Sequence, residues 1–223
     1  MKSKLRIIAA IVLLLGLLIG STCCVNDTSV KSLTTTFNIG INTSSIKSAN
    51  GLSLTLSLDA KTYQQGQKVN ITIDEKNTLF KTNNVPVSGN WPMDELTLAG
   101  PCNVIPYPFG IAILPGYYTS ADYRKAIQLK LYKPDTYIGC INPIPSDFSI
   151  YNFKQQSDVA TMSSESNPQL ISTIPLYVPI TLTNYWTGAY PAAVQHNFDP
   201  GVYTIVAGDE WGALVILHFT VTQ

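Results

Sequence analysis

Charge is what this chain of 223 residues has least of: 14 Lys+Arg and 14 Asp+Glu make 13% of the sequence and a formal net charge of zero. Soluble domains usually carry about 25%. Sparse, balanced charge leaves no basic footprint for nucleic acid. The 45% hydrophobic content excludes a disordered chain. Histidine is scarcer still, with His196 and His218 alone. Acyl transfer by a Ser-His-Asp set needs a base beside its nucleophile. His196 reads as a loop residue, and His218 falls out of phase with Leu217 and Phe219, facing outward; both are read as ordinary polar residues. No Gly-x-Ser-x-Gly elbow is present, and neither Cys-x-x-Cys nor His-Glu-x-x-His occurs. Asp94-Glu95, Asp122, Asp199 and Asp209-Glu210 lack the alternating ladder of a calcium loop and read as solvated or capping turn acids. No metal or cofactor is expected. A 3.6-residue apolar stripe is missing after residue 22; only Ser120 to Lys125 suits a short helical turn. No repeat of 20–50 residues is visible.

What is present begins with an export signal. Lys2, Lys4 and Arg6 precede the uncharged run Ile7 to Ile19, followed by Gly20-Ser21-Thr22 and Cys23-Cys24. A basic start, an apolar run and small residues form the layout of a secretory signal over residues 1–22. The run is short for a membrane span, which needs roughly 17–25 residues. A Cys directly after it resembles the bacterial lipoprotein signal, which implies a diacylated Cys23 tying the mature chain to a lipid bilayer. Plain secretion, or an uncleaved anchor, is the alternative. Without residues 1–22 the chain keeps 11 Lys+Arg against 14 Asp+Glu, a formal charge of −3. Residues 23–50 read as a tether, since Asn26 to Asn50 holds ten Ser/Thr in 25 positions. Such a linker spans on the order of 25–30 Å. The rival is an extra edge strand over Leu33 to Ile41, where Phe37, Ile39 and Ile41 alternate.

Residues 51–223 suffice for one domain burying roughly 70% of its unfolded surface. Leu52, Leu54, Leu56 and Leu58 alternate with Ser53, Thr55 and Ser57; Val69, Ile71 and Ile73 do so with polar neighbours. Ile127, Leu129 and Leu131 repeat the pattern, as do Tyr203, Ile205 and Ala207, then Val215, Leu217, Phe219 and Val221. Period two with Gly and Pro between segments predicts an all-β class.

Phe198-Asp199-Pro200-Gly201-Val202-Tyr203 at a strand entry is similar to the tyrosine corner of Ig-like sandwiches, in which the Tyr hydroxyl bonds back to backbone. A leucine-alternating strand followed by Tyr63-x-x-Gly66-x-x-Val69-x-Ile71-x-Ile73 resembles the opening of bacterial extracytoplasmic Ig-like domains, including the proteinase-inhibitor family of the BsuPI type. The resemblance covers about 55 residues at the two ends. It implies an Ig-like antiparallel β-sandwich, with Tyr203 as the structural corner, and makes protease inhibition conceivable. Ile71 and Ile205 stand where antibody domains carry inter-sheet cysteines. An Ig-like sandwich needs about 100 residues, so the surplus at about 100–170 reads as an insertion. It holds Cys102 and Cys140, which in an exported chain predict a disulfide. Closing that loop of about 39 residues contributes roughly 3–4 kcal/mol.

Aromatics supply the candidate site. Tyr107, Tyr117, Tyr118, Tyr123, Tyr132 and Tyr137 fall within 31 residues, and Asn184-Tyr-Trp-Thr-Gly-Ala-Tyr190 forms a second cluster. Tyr and Trp offer stiff contact area with a hydrogen-bonding tip. Tyr117, Tyr118, Tyr185, Trp186 and Tyr190 are the candidate ligand contacts, against a purely structural role covering the sandwich edge. The expected function is a non-enzymatic binding or accessory protein of the cell envelope, meeting a protein or glycan. A protease inhibitor is the alternative, and a hydrolase a weaker one.

Overall fold

The computed structural model describes residues 42–94, 96, 98, 107–134, 148–164 and 172–223. They lie in one compact unit, Leu33–Gln223. Among them the chain forms β1 (Asn42–Lys47), β2 (Leu52–Leu58), β3 (Thr62–Gln64), β4 (Val69–Asn77), β5 (Asn83–Pro86), β6 (Phe109–Pro115), β7 (Phe148–Phe153), β8 (Val159–Ser164), β9 (Ser172–Pro175), β10 (Tyr177–Leu182), β11 (Asn184–Thr187), β12 (Val194–Asn197), β13 (Gly201–Asp209) and β14 (Leu214–Thr222). Tyr123–Lys125 makes a single 3-10 turn within the predicted helical stretch. The class is all-β.

One sheet runs β1-β2-β4-β10 with antiparallel neighbours throughout. A second runs β3-β14-β13-β6 and is antiparallel except where β3 lies parallel to β14. Their inner faces share one core. From the first sheet come Leu52, Leu54, Leu56, Leu58, Ile71 and Ile73; from the second, Tyr203, Ile205, Leu217 and Phe219. The alternation works as period two requires: the leucines of β2 are buried while Ser53, Thr55 and Ser57 are half-buried. Each such leucine contributes roughly 2 kcal/mol by leaving water. Tyr203 Oη donates to Asp199 O at 2.9 Å, and its ring stacks on Phe219 at 5.1 Å, so the expected bond back to backbone is made.

Three sequence expectations change. The insertion at about 100–170 is not wholly outside the main sheets, because β6 pairs with β13 from Tyr203 opposite Pro115 to Asp209 opposite Phe109. Phe109 to Leu114 are buried without interruption, since the second sheet is covered on both faces. Beneath lies the main core; above, Met93, Ala112, Leu114, Tyr123 and Val206 form a second cluster. A strand covered twice reads as a plain apolar run. The tether of residues 23–50 is also too long at its end, because Asn42–Lys47 are β1. Its polar sequence suits an edge strand: Thr43 Oγ1 donates to Ser57 Oγ at 3.0 Å while Ile46 packs on the core. Finally, Ile127 to Leu131 make no strand. Ile127 is 83% exposed, and Lys130 forms only an isolated bridge to Trp186. The signal 1–22, Cys23, the rival strand Leu33 to Ile41, Cys102, Tyr137 and Cys140 lie outside the described residues.

A third antiparallel sheet, β5-β7-β8-β9, belongs to the middle of the chain. Trp211 joins it to the β13–β14 turn. Its Nε1 donates to Pro86 O at 2.8 Å, and its ring meets Tyr151 and Phe153 edge-on. At Gly208 the backbone comes so close to Pro92 that an added Cβ would lie 2.3 Å from Pro92 Cγ.

Candidate functional site

The predicted aromatics fall in two places. Tyr185, Trp186 and Tyr190 belong to the β11–β12 hairpin, where Tyr185 lies opposite His196 and Trp186 opposite Gln195. Tyr185 is a strut: its ring stacks on His196 at 5.5 Å and tilts against Phe198, and its hydroxyl donates to Asp199 Oδ2 at 3.2 Å. Burial, then the Asp199 charge, raises its pKa, so the hydroxyl keeps its proton. Thr187 Oγ1 and His196 Nε2, 2.8 Å apart, close the ladder on that side. Trp186 projects from the other face, since neighbouring residues in a strand point oppositely. The Trp186 backbone N–H donates to Lys130 O at 2.8 Å, and Lys133 Nζ sits 5.9 Å from its ring centre. Lys130 Nζ reaches Gly188 O at 3.2 Å, fastening the tip. Tyr190 is 47% exposed at that tip and precedes a cis bond to Pro191. Trp186 and Tyr190 are therefore presented on a braced hairpin beside two lysines.

Tyr117 and Tyr118 follow β6. The exposed Tyr117 ring stacks on His218 of β14, with centroids 4.0 Å apart and planes 7° from parallel. His218 Nε2 donates to Tyr118 O at 2.8 Å, Tyr118 N–H donates to Thr204 Oγ1 at 2.9 Å, and Thr204 Oγ1 donates to Gly116 O at 2.7 Å. This chain of bonds clamps the loop to the second sheet. Tyr118 is half-buried against the second cluster. Beside Tyr117 and His218 an open concavity of about 550 Å³ is walled by Asn42, Ser44, Ile46 and Lys61. His218 faces outward as its parity predicts. Its pairing with Tyr117 was not legible, because the two lie about 100 positions apart.

The turn acids meet expectation in capping, as Asp122 does for Thr119 N–H, and depart from it in burial. Asp209 and Glu210 are buried, not solvated. Asp209 Oδ1 accepts from Trp211 N–H at 2.9 Å and Ala213 N–H at 2.7 Å, a capping role; Glu210 Oε1 accepts from Ser88 N–H at 3.3 Å. Desolvation pushes Glu210 up to about 7, with the Asp209 charge adding to it. Glu75 is fully buried on the core face of β4; desolvation, then Asp209 and Asp74, push its carboxyl well above the usual range. Asp74 rises to about 6 through burial and the nearby Asp158. Glu75 is sealed from solvent, so its raised pKa bears on stability. Among the described residues no three His, Cys, Asp or Glu converge to hold a metal ion. Compared with family models, curated proteins and solved structures, the chain finds no match.

Proposed function

We propose that this protein is an exported, non-enzymatic binding module of the cell envelope, anchored through lipid on Cys23, whose Ig-like domain presents aromatic side chains to a protein or glycan partner. The strand order β3-β14-β13-β6 with its parallel first pair, facing β1-β2-β4-β10, supports the Ig-like reading. So does the Tyr203 bond to Asp199 O. A disulfide between Cys102 and Cys140 belongs to the same proposal, on the ground that two cysteines in an exported chain pair readily.

The observation that carries the reading is the braced hairpin. Holding Trp186 and Tyr190 in place before binding lowers the ordering cost that an interface must overcome. Such rigid aromatic anchors are where binding energy concentrates. The full-length protein is to be applied to immobilised envelope glycan and envelope protein fractions, beside Trp186→Ala and Tyr190→Ala variants. Retention on one fraction, lost in both variants at unchanged melting temperature, is expected. Equal retention of wild type and variants, or none on either fraction, would reject the reading.

A further inference from the structure

A second aromatic site lies on the outer side of the second sheet, and none of the hairpin residues lines it. Trp91, Asp94, Arg124 and Gln128 border an open pocket of about 260 Å³. Trp91 is 36% exposed. The other two tryptophans lie elsewhere: Trp211 packs against the third sheet, and Trp186 belongs to the β11–β12 hairpin beside Lys133. No ring contact or hydrogen bond of the Trp91 indole occurs among the described residues.

The polar groups are positioned from below. Tyr123, buried in the second cluster, donates its hydroxyl to Pro92 O at 2.8 Å, tying the 3-10 turn to the segment bearing Trp91 and Asp94. Arg124 Nε donates back to Tyr123 Oη at 3.0 Å, and its guanidinium carbon stands 5.7 Å from that ring's centre. This leaves the two outer nitrogens of Arg124 for a ligand. Gln128 Nε2 donates to Asp94 O at 2.8 Å, which leaves Gln128 Oε1 as an acceptor. Pro92 rests on Gly208, where no side chain could intervene, and Met93 sinks into the second cluster. The walls are thus fixed before any ligand arrives.

We propose that this pocket is a subsite for one neutral pyranose ring of a glycan, which rests on the binding function proposed above and specifies its ligand. The pocket falls below the roughly 300–1,000 Å³ typical of drug-sized ligand sites, so it takes a single ring. Trp91 offers a flat apolar face for the C–H face of the sugar. The Asp94 carboxylate and Gln128 Oε1 accept from hydroxyls, and Arg124 donates to them. One cation and one anion leave the site without net charge, which suits an uncharged sugar. A free amino acid would use both charges but leave the indole uncovered; a pyranose uses all four side chains.

The test is saturation-transfer NMR on the full-length protein, in a detergent without a sugar headgroup. The probes are methyl glycosides of glucose, galactose, mannose and N-acetylglucosamine, with glycine and glutamate beside them. At least one glycoside should receive saturation on the C–H protons of one ring face, with millimolar affinity. That transfer should fall at least ~10-fold in Trp91→Ala, fall in Asp94→Asn, and persist in Trp186→Ala. No transfer to any glycoside at about 10 mM, equal transfer in Trp91→Ala, or transfer to the amino acids instead would overturn the proposal. If hairpin-dependent retention persists while the glycosides fail, this subsite falls and the binding function stands. If the glycosides bind at Trp91 while retention ignores the hairpin, the subsite stands and the hairpin's role falls.

Discussion

Replacing Glu75 by Gln should make the protein more resistant to unfolding, by an amount that grows with pH. Glu75 continues the inward stripe of Val69, Ile71 and Ile73 and lies opposite Leu54 of β2. Among the described residues neither carboxyl oxygen finds a hydrogen-bond partner, and the charges that raise its pKa are Asp209 and Asp74, both of its own sign. Burial and this repulsion keep the folded carboxyl protonated where the unfolded one ionises, near 4.5. A raised folded pKa means stability that is complete below pH 4.5 and lost as pH climbs toward the folded value. The loss is about 1.4 kcal/mol per pH unit while the unfolded chain is ionised and the folded one is not. Asp74, pushed up to about 6, and Glu210, to about 7, add slopes of the same sign, but both remain in the variant. Gln copies the neutral carboxyl and has no proton to lose. Its own amide sets a constant offset, so the readout is the slope. Urea unfolding at pH 5, 6 and 7 should show the variant gaining on wild type as pH rises, at about 1.4 kcal/mol per unit for as long as the folded Glu75 keeps its proton. Parallel stability curves would mean that Glu75 is ionised in the fold, and the reasoning would fail.

Other perturbations test the frame around the sites. Tyr203→Phe keeps the ring against Phe219 but removes the bond to Asp199 O; urea unfolding should show a loss of about 1 kcal/mol, and an unchanged midpoint would deny the corner a role. Gly208→Ala places a methyl 2.3 Å from Pro92 Cγ and should cost about 1–3 kcal/mol, with a shift in tryptophan emission as the Trp91 segment moves; thermal and emission profiles matching wild type would contradict that close approach. Reducing the oxidised protein should lower its unfolding free energy by roughly 3–4 kcal/mol if Cys102 and Cys140 are joined. Identical denaturation before and after reduction would dismiss the bridge.

What the sequence disclosed follows from burial on one side or two. β2, β4, β13 and β14 carry the main core on one face, so their alternation was readable along each strand. β6 is covered on both faces, and its unbroken apolar run fell inside what looked like an insertion. β1 has the polar composition of a linker because it is an edge, and its register depends on β2, which follows it in the chain. Composition singled out the aromatic residues but could not sort exposed ones from structural ones. Tyr118, Tyr123 and Tyr185 are held by packing and bonds, while Tyr117, Trp186 and Tyr190 are left facing solvent or partly so. Trp91 had no neighbouring aromatic to mark it. It gains meaning only when Tyr123 draws Arg124 beside it across 33 positions of sequence.

The central claim is that a braced aromatic surface binds an envelope partner. Its most direct test is a titration of the purified full-length protein, and of the Trp186→Ala/Tyr190→Ala double variant, against the envelope fraction that retains it. The dissociation constant should be at least ~30-fold weaker for the variant, about 2 kcal/mol, with the melting temperature unchanged. Equal constants for the two proteins would contradict it.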